Sequence, residues 1–497
     1  MHRLLRQSLQ SQQQVRLLQR PMQCSPNWTK ATADIKDGIR QWPRESKPII
    51  ENVESWAIKN DKLPFLEKMV SQYGAHNASN GLIIDCDPGT DDTMALVIQV
   101  LICHLKNIIT KENKYYIKTI TIGVGNNASI NVMKQAAAQA MICSKAVELG
   151  VWRPESRLVG GAEMNLAKTP ASTAGARIHG KYGNSNLERT PAMQQQIDEF
   201  VRKYTLTSEE ITTAKLAVSN LSAELVGRED LDAAYYTTWL LMTNPPSTFE
   251  YLTLGPVINP GMIGLIEPTA LSRFSRIISM IGSYWLGNID ARNEAEANAY
   301  NAAREINLVA SLALITMVPL NLTHQFGLET LLSVLPDNIL SNWLRAIHAD
   351  CYIPVLTGMR PLFTKESDGF DVTLNDSVLT FGDDGRQKIP RTILRDGAIK
   401  GNLPIHDLTT VMAMTFPGLF QKSRECIWVD DVSPAFGGLG RIYPDTIKGN
   451  NVVVTQCMRN MGEYDTMEED GLQEVGEEDI IPDHVYYKIV SALLEIL

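Results

Sequence analysis

The chain has 497 residues, 44% of them apolar, and a formal net charge of −10 with no stripe of Lys and Arg. That composition is ample for the core of a large globular protein, and it excludes a nucleic-acid surface, which needs clustered cations to bind phosphate. Seven cysteines (Cys24, Cys86, Cys103, Cys143, Cys351, Cys426 and Cys457) form no C-x-x-C pair, which fits reduced core thiols in a reducing compartment and implies neither disulfides nor zinc.

Arg3, Arg6, Arg16, Arg20 and Lys30 precede the first acid, Asp34, among Gln, Ser and Leu. Residues 1–33 therefore read as a mitochondrial transit peptide or a retained polar leader; the expected location is the mitochondrion, with the cytoplasm second. Residues 34–80 read as an N-terminal helical extension, broken at Pro43, Pro48 and Pro64 and closed by the polar link from Gly74 to Gly81.

From residue 81 to about 460, short apolar strands alternate with helical patterns, as in Tyr115 to Val124 followed by Asn131 to Val147. The expected fold is α/β, a mostly parallel open sheet flanked by helices. Leu187 to Thr248 and Gln325 to Lys400 fit the alternation poorly and read as insertions at the sheet's edge, the second holding the turn-rich Phe381 to Gly385. The longest uncharged stretch, Ile306 to Leu328, is interrupted by Asn307, Pro319, Asn321 and His324, so no transmembrane segment is expected. Residues 461–497 read as an acidic link followed by a C-terminal apolar helix from Val485 to Leu497.

The most informative stretch is Asp85-Cys86-Asp87-Pro88-Gly89-Thr90-Asp91-Asp92, four carboxylates with no Lys or Arg between Gly81 and Val100. Leu82-Ile83-Ile84 before it reads as a buried strand and the apolar run from Thr93 as a helix. The acids thus occupy a strand-to-helix turn, where ligands bind in open parallel sheets. Such a cluster repels itself unless a cation sits in it. A donor set of carboxylates favours calcium or magnesium, and calcium needs ~6–8 oxygens, more than one loop supplies. The second contributor is expected at His406-Asp407, ahead of the apolar helix from Leu408 to Met414.

The same eight residues resemble the signature of the inosine-uridine preferring nucleoside hydrolases. Further pieces follow in that family's order: Ile120 to Asn126, Ile178-His179-Gly180, Leu254-Gly255-Pro256-Val257-Ile258-Asn259, Gly287-Asn288, Ala295-Glu296-Ala297-Asn298, Ile315 to Thr323 and His406-Asp407. The resemblance implies a nucleoside hydrolase-like domain over 81–460, and calcium-dependent hydrolysis of the N-glycosidic bond of ribonucleosides. It assigns Asp87, Asp92, Asp407 and the backbone carbonyl of Ile258 to Ca2+. Asp87 becomes general base and His406 the acid that protonates the leaving base, while Asp91, Asn126, Asn288, Glu296, Asn298 and Asp407 bind the ribose. Dimers or tetramers are the implied assembly.

The chain departs from the family's pattern at Ile258 (usually Thr), Met280-Ile281-Gly282 (Met-Gly-Gly), Asn321 (Asp) and in the ribose loop, where two extra residues precede Ala295 and Asn301-Ala-Ala-Arg304 replaces Asp-Pro-Glu. With the leader and extensions, this supports an alternative, a catalytically weak or inactive structural subunit of a larger mitochondrial assembly. A third reading, a haloacid-dehalogenase-like phosphatase, places Thr90 one residue too late for its motif and leaves His406-Asp407 unexplained.

Overall fold

The computed structural model describes residues 62–75, 81–123, 125–126, 129–166, 179–218, 223–283, 288, 295–324, 326–348, 350, 380–381, 387–388, 404–429, 442–445, 451–458 and 485–496. The expected leader, the acidic link and most of the segment from 351 to 400 lie outside them.

In chain order the elements are α1 (Lys62–Tyr73), β1 (Gly81–Cys86), α2 (Thr90–Thr110), β2 (Tyr116–Ile122), α3 (Ile130–Cys143), β3 (Trp152–Gly160), α4 (Pro191–Tyr204), α5 (Ser208–Leu216), α6 (Asp232–Thr243), β4 (Phe249–Thr253), α7 (Ile258–Ile266) and β5 (Ile277–Ser279). There follow α8 (Ala297–Asn301), α9 (Ala303–Leu312), β6 (Ile315–Met317), α10 (Leu320–Thr323), α11 (Leu328–Val334), α12 (Ile339–Ile347), β7 (Thr380–Phe381), β8 (Gln387–Lys388), α13 (His406–Thr415), β9 (Phe420–Val429), β10 (Ile442–Asp445), β11 (Asn451–Met458) and α14 (Val485–Glu495).

Nine strands form one sheet in the order β10-β9-β11-β6-β5-β4-β1-β2-β3. The run from β3 to β11 is parallel, and β9 and β10 add antiparallel strands at one end. This is the expected α/β architecture. All six residues of β1 are buried, as suits a central strand covered on both faces. The chain starts in mid-sheet, runs outward through β2 and β3, and returns on the other side of β1 with β4. The order therefore reverses between β1 and β4, and ligands bind outside the carboxyl ends of strands at such a point.

The first insertion is helical where described, and the second combines helices with a short hairpin. Phe200 and Tyr204 of α4 pack on Trp152 of the edge strand β3, with ring centroids 5.5 and 5.6 Å away. Of the second, α11, α12 and the small β7–β8 hairpin are described. One helix, α2, is long and apolar enough to cross a membrane, but 72% of its apolar window is buried inside the protein. It is the central core helix, with no clear transmembrane span among the described residues. Cys86, Cys103 and Cys143 are free thiols.

Candidate active site

Three residues, Asp87-Pro88-Gly89, turn β1 into α2. Asp91 and Asp92 sit in the first turn of that helix, where the macrodipole favours negative charge. Asp92 reaches back so that Oδ2 accepts the Gly89 N–H at 2.8 Å and also the Asn126 side-chain amide at 3.0 Å. Asn126, just past β2, donates its own N–H to Asp87 Oδ2 at 2.8 Å. Gly125 and Gly255 approach Asp87 so closely that a Cβ on either would strike its carboxylate. The loops after β2 and β4 thus wrap the Asp87 side chain from two sides.

The second contributor arrives where expected. α13 begins with His406 and Asp407, and one oxygen each of Asp91, Asp92 and Asp407 lies within 4.8 Å of the others. Asp87 borders this group and adds to the repulsion that Asp407 feels. Oδ1 of Asp91 and Oδ1 of Asp92 are buried with no donor directed at them. Burial, and after it the neighbouring carboxylates, push Asp87, Asp92 and Asp407 above the usual carboxylate range. Unfilled oxygen acceptors and mutual repulsion are what a hard divalent cation relieves, so the donor set fits calcium or magnesium.

Ile258 is the first residue of α7, 1% exposed, with its N–H donated to the Pro256 carbonyl at 2.7 Å. Its side chain can offer nothing, which leaves the carbonyl. Asp85 lies beneath the turn: Oδ1 accepts the Thr121 hydroxyl at 2.6 Å and the Asn259 amide at 2.7 Å. Burial raises it to about 7.

Four of the six expected sugar contacts are already engaged in hydrogen bonds within the protein. Glu296 caps α8: Oε1 accepts the N–H of Asn298 at 2.8 Å, while Oε2 accepts those of Gly282 and Ala299 at 2.9 and 2.8 Å. Asn298 donates its amide to the carbonyls of Leu254 and Met280, at 2.8 and 3.0 Å. Asn288 Oδ1 accepts the Ala297 N–H at 3.0 Å. Asn126 holds the two acids already described.

Three imidazoles, His179, His348 and His406, feel the Asp91 carboxylate, and a fourth, His324, lies against His406; the sequence singles out only His406 for chemistry. The Thr323 hydroxyl lies 2.8 Å from His406 Nδ1, and the ring of His324 is 5.4 Å from that of His406. His179 Nδ1 accepts the Thr90 N–H at 2.9 Å, so the approach of that nitrogen to Asp91 Oδ1 at 3.8 Å is not an ion pair. His348 Nδ1 donates to the Leu344 carbonyl at 2.8 Å. Burial lowers all four, His324 to about 3 and His348 to about 4, with the Asp91 carboxylate opposing this at His179, His348 and His406. His324 and His348 are therefore neutral near pH 7. Neither carried a sequence signal of its own: His324 lies in an uncharged stretch just before the second insertion, and His348 lies inside that insertion.

Comparison with known proteins follows the same lines. The family model of the inosine-uridine preferring nucleoside hydrolases matches residues 82–459. An inosine-uridine preferring nucleoside hydrolase of Leishmania major is 26% identical over 248 residues, 49% of this chain and 61% of that one. The protein of the same description from Crithidia fasciculata is 27% identical over 245 residues, again 49% and 61%. This chain thus spans less than two thirds of either relative. The solved structure of an inosine-uridine preferring nucleoside hydrolase from Bacillus anthracis superposes with a TM-score of 0.52 at 11% identity, covering 84% of this chain and 99% of that one. At that identity the likeness is one of fold.

Proposed function

The chain belongs to the inosine-uridine preferring nucleoside hydrolase family, and on that basis we propose that it catalyses the calcium-dependent hydrolysis of the N-glycosidic bond of ribonucleosides, giving ribose and free base. One observation carries the reading: Asp407, more than three hundred positions along the chain, meets Asp91 and Asp92 within 4.8 Å at the carboxyl end of the central strand.

We assign the ion to Asp87, Asp92, Asp407 and the Ile258 carbonyl. When bound it supplies positive charge that anchors ribose hydroxyls and acidifies a water. Asp87, held by the Asn126 N–H, accepts the proton of the attacking water as the bond between base and sugar opens. Asp91, with Oδ1 unpartnered, accepts a ribose hydroxyl. Asn126, Asn288, Asn298 and Glu296 line the sugar, and they reject analogues whose missing hydroxyl would leave polar groups unpaired. His406 in its protonated form, which the Asp91 carboxylate favours, delivers a proton to the leaving base from Nε2. Its Nδ1–H then donates to the Thr323 oxygen 2.8 Å away, whose hydroxyl donates to the Leu320 carbonyl at 3.4 Å.

The test is turnover of inosine and uridine by the purified chain, with calcium and then with EDTA. Hydrolysis that EDTA abolishes and calcium restores is expected. Absence of turnover on both nucleosides at saturating calcium overturns the reading. A second reading, a catalytically weak or inactive structural subunit of a larger complex, draws on Glu296, whose carboxylate is already engaged by three backbone N–H groups; it predicts migration inside a large particle without turnover.

A further inference from the structure

Two described helices lie outside the family match of residues 82–459: α1 before it and α14 after it. Both reach the back of α13, the helix that opens with His406 and Asp407. From α1, the Ala75 N–H just beyond its end donates to the Thr415 carbonyl at the end of α13, 3.1 Å away. From α14, the Tyr486 hydroxyl lies 3.3 Å from Thr409 Oγ1, one turn past His406, and Thr409 also donates to the Ile405 carbonyl at 2.5 Å.

The same helix holds the segment opposite His406. Tyr487 accepts the Gly327 N–H at 2.9 Å, and Tyr486 stacks on Phe326 with centroids 4.2 Å apart and planes 15° from parallel. Gly327 and Phe326 directly follow the stretch bearing Thr323 and His324, which meet the His406 ring. Tyr486, Tyr487 and Phe326 are 0%, 4% and 4% exposed. If α14 only filled apolar volume, Leu or Phe would serve, and a buried hydroxyl would be a cost unless bonded. Both hydroxyls are instead directed at atoms of the two segments that frame His406.

We infer that α14 is a positioning element of the active site: through Tyr486 and Tyr487 it fixes the Thr323–Gly327 stretch against the first turn of α13, so that the His406 ring is held in one orientation and Asp407 is kept facing Asp91 and Asp92. The inference rests on the proposed hydrolysis for its kinetic consequence, but not for its structural one.

The test uses the full chain with Tyr487→Phe, Tyr486→Phe and the double variant. Ser491→Ala is the control, because it removes a hydrogen bond of α14 to the Val334 carbonyl (2.9 Å) remote from His406. For Tyr487→Phe we expect kcat on inosine to fall about tenfold with KM changed less than about twofold, since a misplaced acid costs transition-state rather than ground-state binding. In the double variant, calcium Kd by calorimetry rises several-fold, and amide exchange quickens over 323–327 and 406–410. Ser491→Ala leaves kcat, Kd and those amides at parental values. Parental kcat, Kd and exchange in the folded tyrosine variants, or equal losses in Ser491→Ala, overturn the inference. If the parent neither turns over inosine nor binds calcium, the functional reading fails, and the exchange pattern alone decides: quickening confined to the two segments supports positioning by α14, and unchanged protection overturns it.

Discussion

The Thr323 hydroxyl lies 2.8 Å from Nδ1 of His406, joining the stretch after β6 to the first residue of α13. A hydroxyl there accepts from Nδ1–H of the protonated ring and so steadies the charged form that acts as acid. Thr323→Val keeps the shape and removes that acceptor, so the imidazolium loses its partner and its fixed orientation. The expected result is a loss of about tenfold or more in kcat on inosine, within the range of general acid catalysis, with KM little changed. Thr323→Ser, which keeps the oxygen, restores most of the rate. Steady-state kinetics of the two variants decides it; equal losses would assign Thr323 to packing.

Asp87 and Asp91 exchange places between the two ways of reading the site. The resemblance gives Asp87 to the ion and Asp91 to the sugar, whereas the closest group of carboxylate oxygens is Asp91, Asp92 and Asp407. Asn substitutions separate them, because each keeps volume and removes one charge. Under the assignment proposed here, Asp87→Asn abolishes calcium binding by calorimetry and removes the base. Asp91→Asn changes calcium Kd only a few-fold but raises KM for inosine by about tenfold or more, as expected when a buried sugar contact worth ~1.5–3 kcal/mol is lost. The opposite pattern would move Asp91 into the coordination shell.

The parallel sheet and the placing of the acids were legible because they depend on local patterns: an apolar six-residue strand, a three-residue turn and an apolar helix follow one another without interruption from Gly81 to Thr110. That Asp407 would join them followed from coordination chemistry, since one loop cannot fill a calcium shell. His324 and His348 were not legible. Their nearness to Asp91 and His406 depends on how α10, α11 and α12 pack, and a single histidine has no periodic signature. The commitments of Glu296 and Asn298 were equally hidden, because their partners are backbone groups of Gly282, Leu254 and Met280, which no side-chain pattern encodes. The bracing by α14 is a contact between segments more than seventy positions apart, visible only in the fold.

Asp85 should add its own share to the pH dependence of the metal-free protein, beside that of Asp87, Asp92 and Asp407. It is 2% exposed and burial raises it from 3.8 to about 7. A carboxyl whose folded-state pKa lies above its unfolded value holds more protons when folded. Its contribution to stability is complete below about 4 and declines as pH rises towards 7. In EDTA the melting temperature of Asp85→Asn should therefore exceed that of the parent at pH 8, and the two should converge near pH 4. One pK unit corresponds to about 1.4 kcal/mol, so the difference is on the order of a few kcal/mol. Asn still accepts from Thr121 and Asn259 through its oxygen, so the comparison isolates the charge. Thermal melts across pH 4–8 that run parallel would show that Asp85 is not the group responsible.

Glu296 is asked to do two things, and one substitution tells them apart. Its two oxygens take three backbone N–H groups, closing the start of α8 and the turn at Gly282. A carboxylate offers about four acceptor positions, which leaves room for one ribose hydroxyl. Glu296→Gln turns one acceptor into a donor facing a buried N–H, and leaving that N–H unpaired costs about 1–3 kcal/mol. A drop of several degrees in melting temperature is expected on that ground alone. If the remaining acceptor position serves the sugar, KM for inosine also rises well beyond what the lost stability produces, and KM for a 5′-deoxy or 2′-deoxy analogue rises less than KM for inosine. A fall in melting temperature with KM unchanged for every analogue would make Glu296 a helix cap and nothing more.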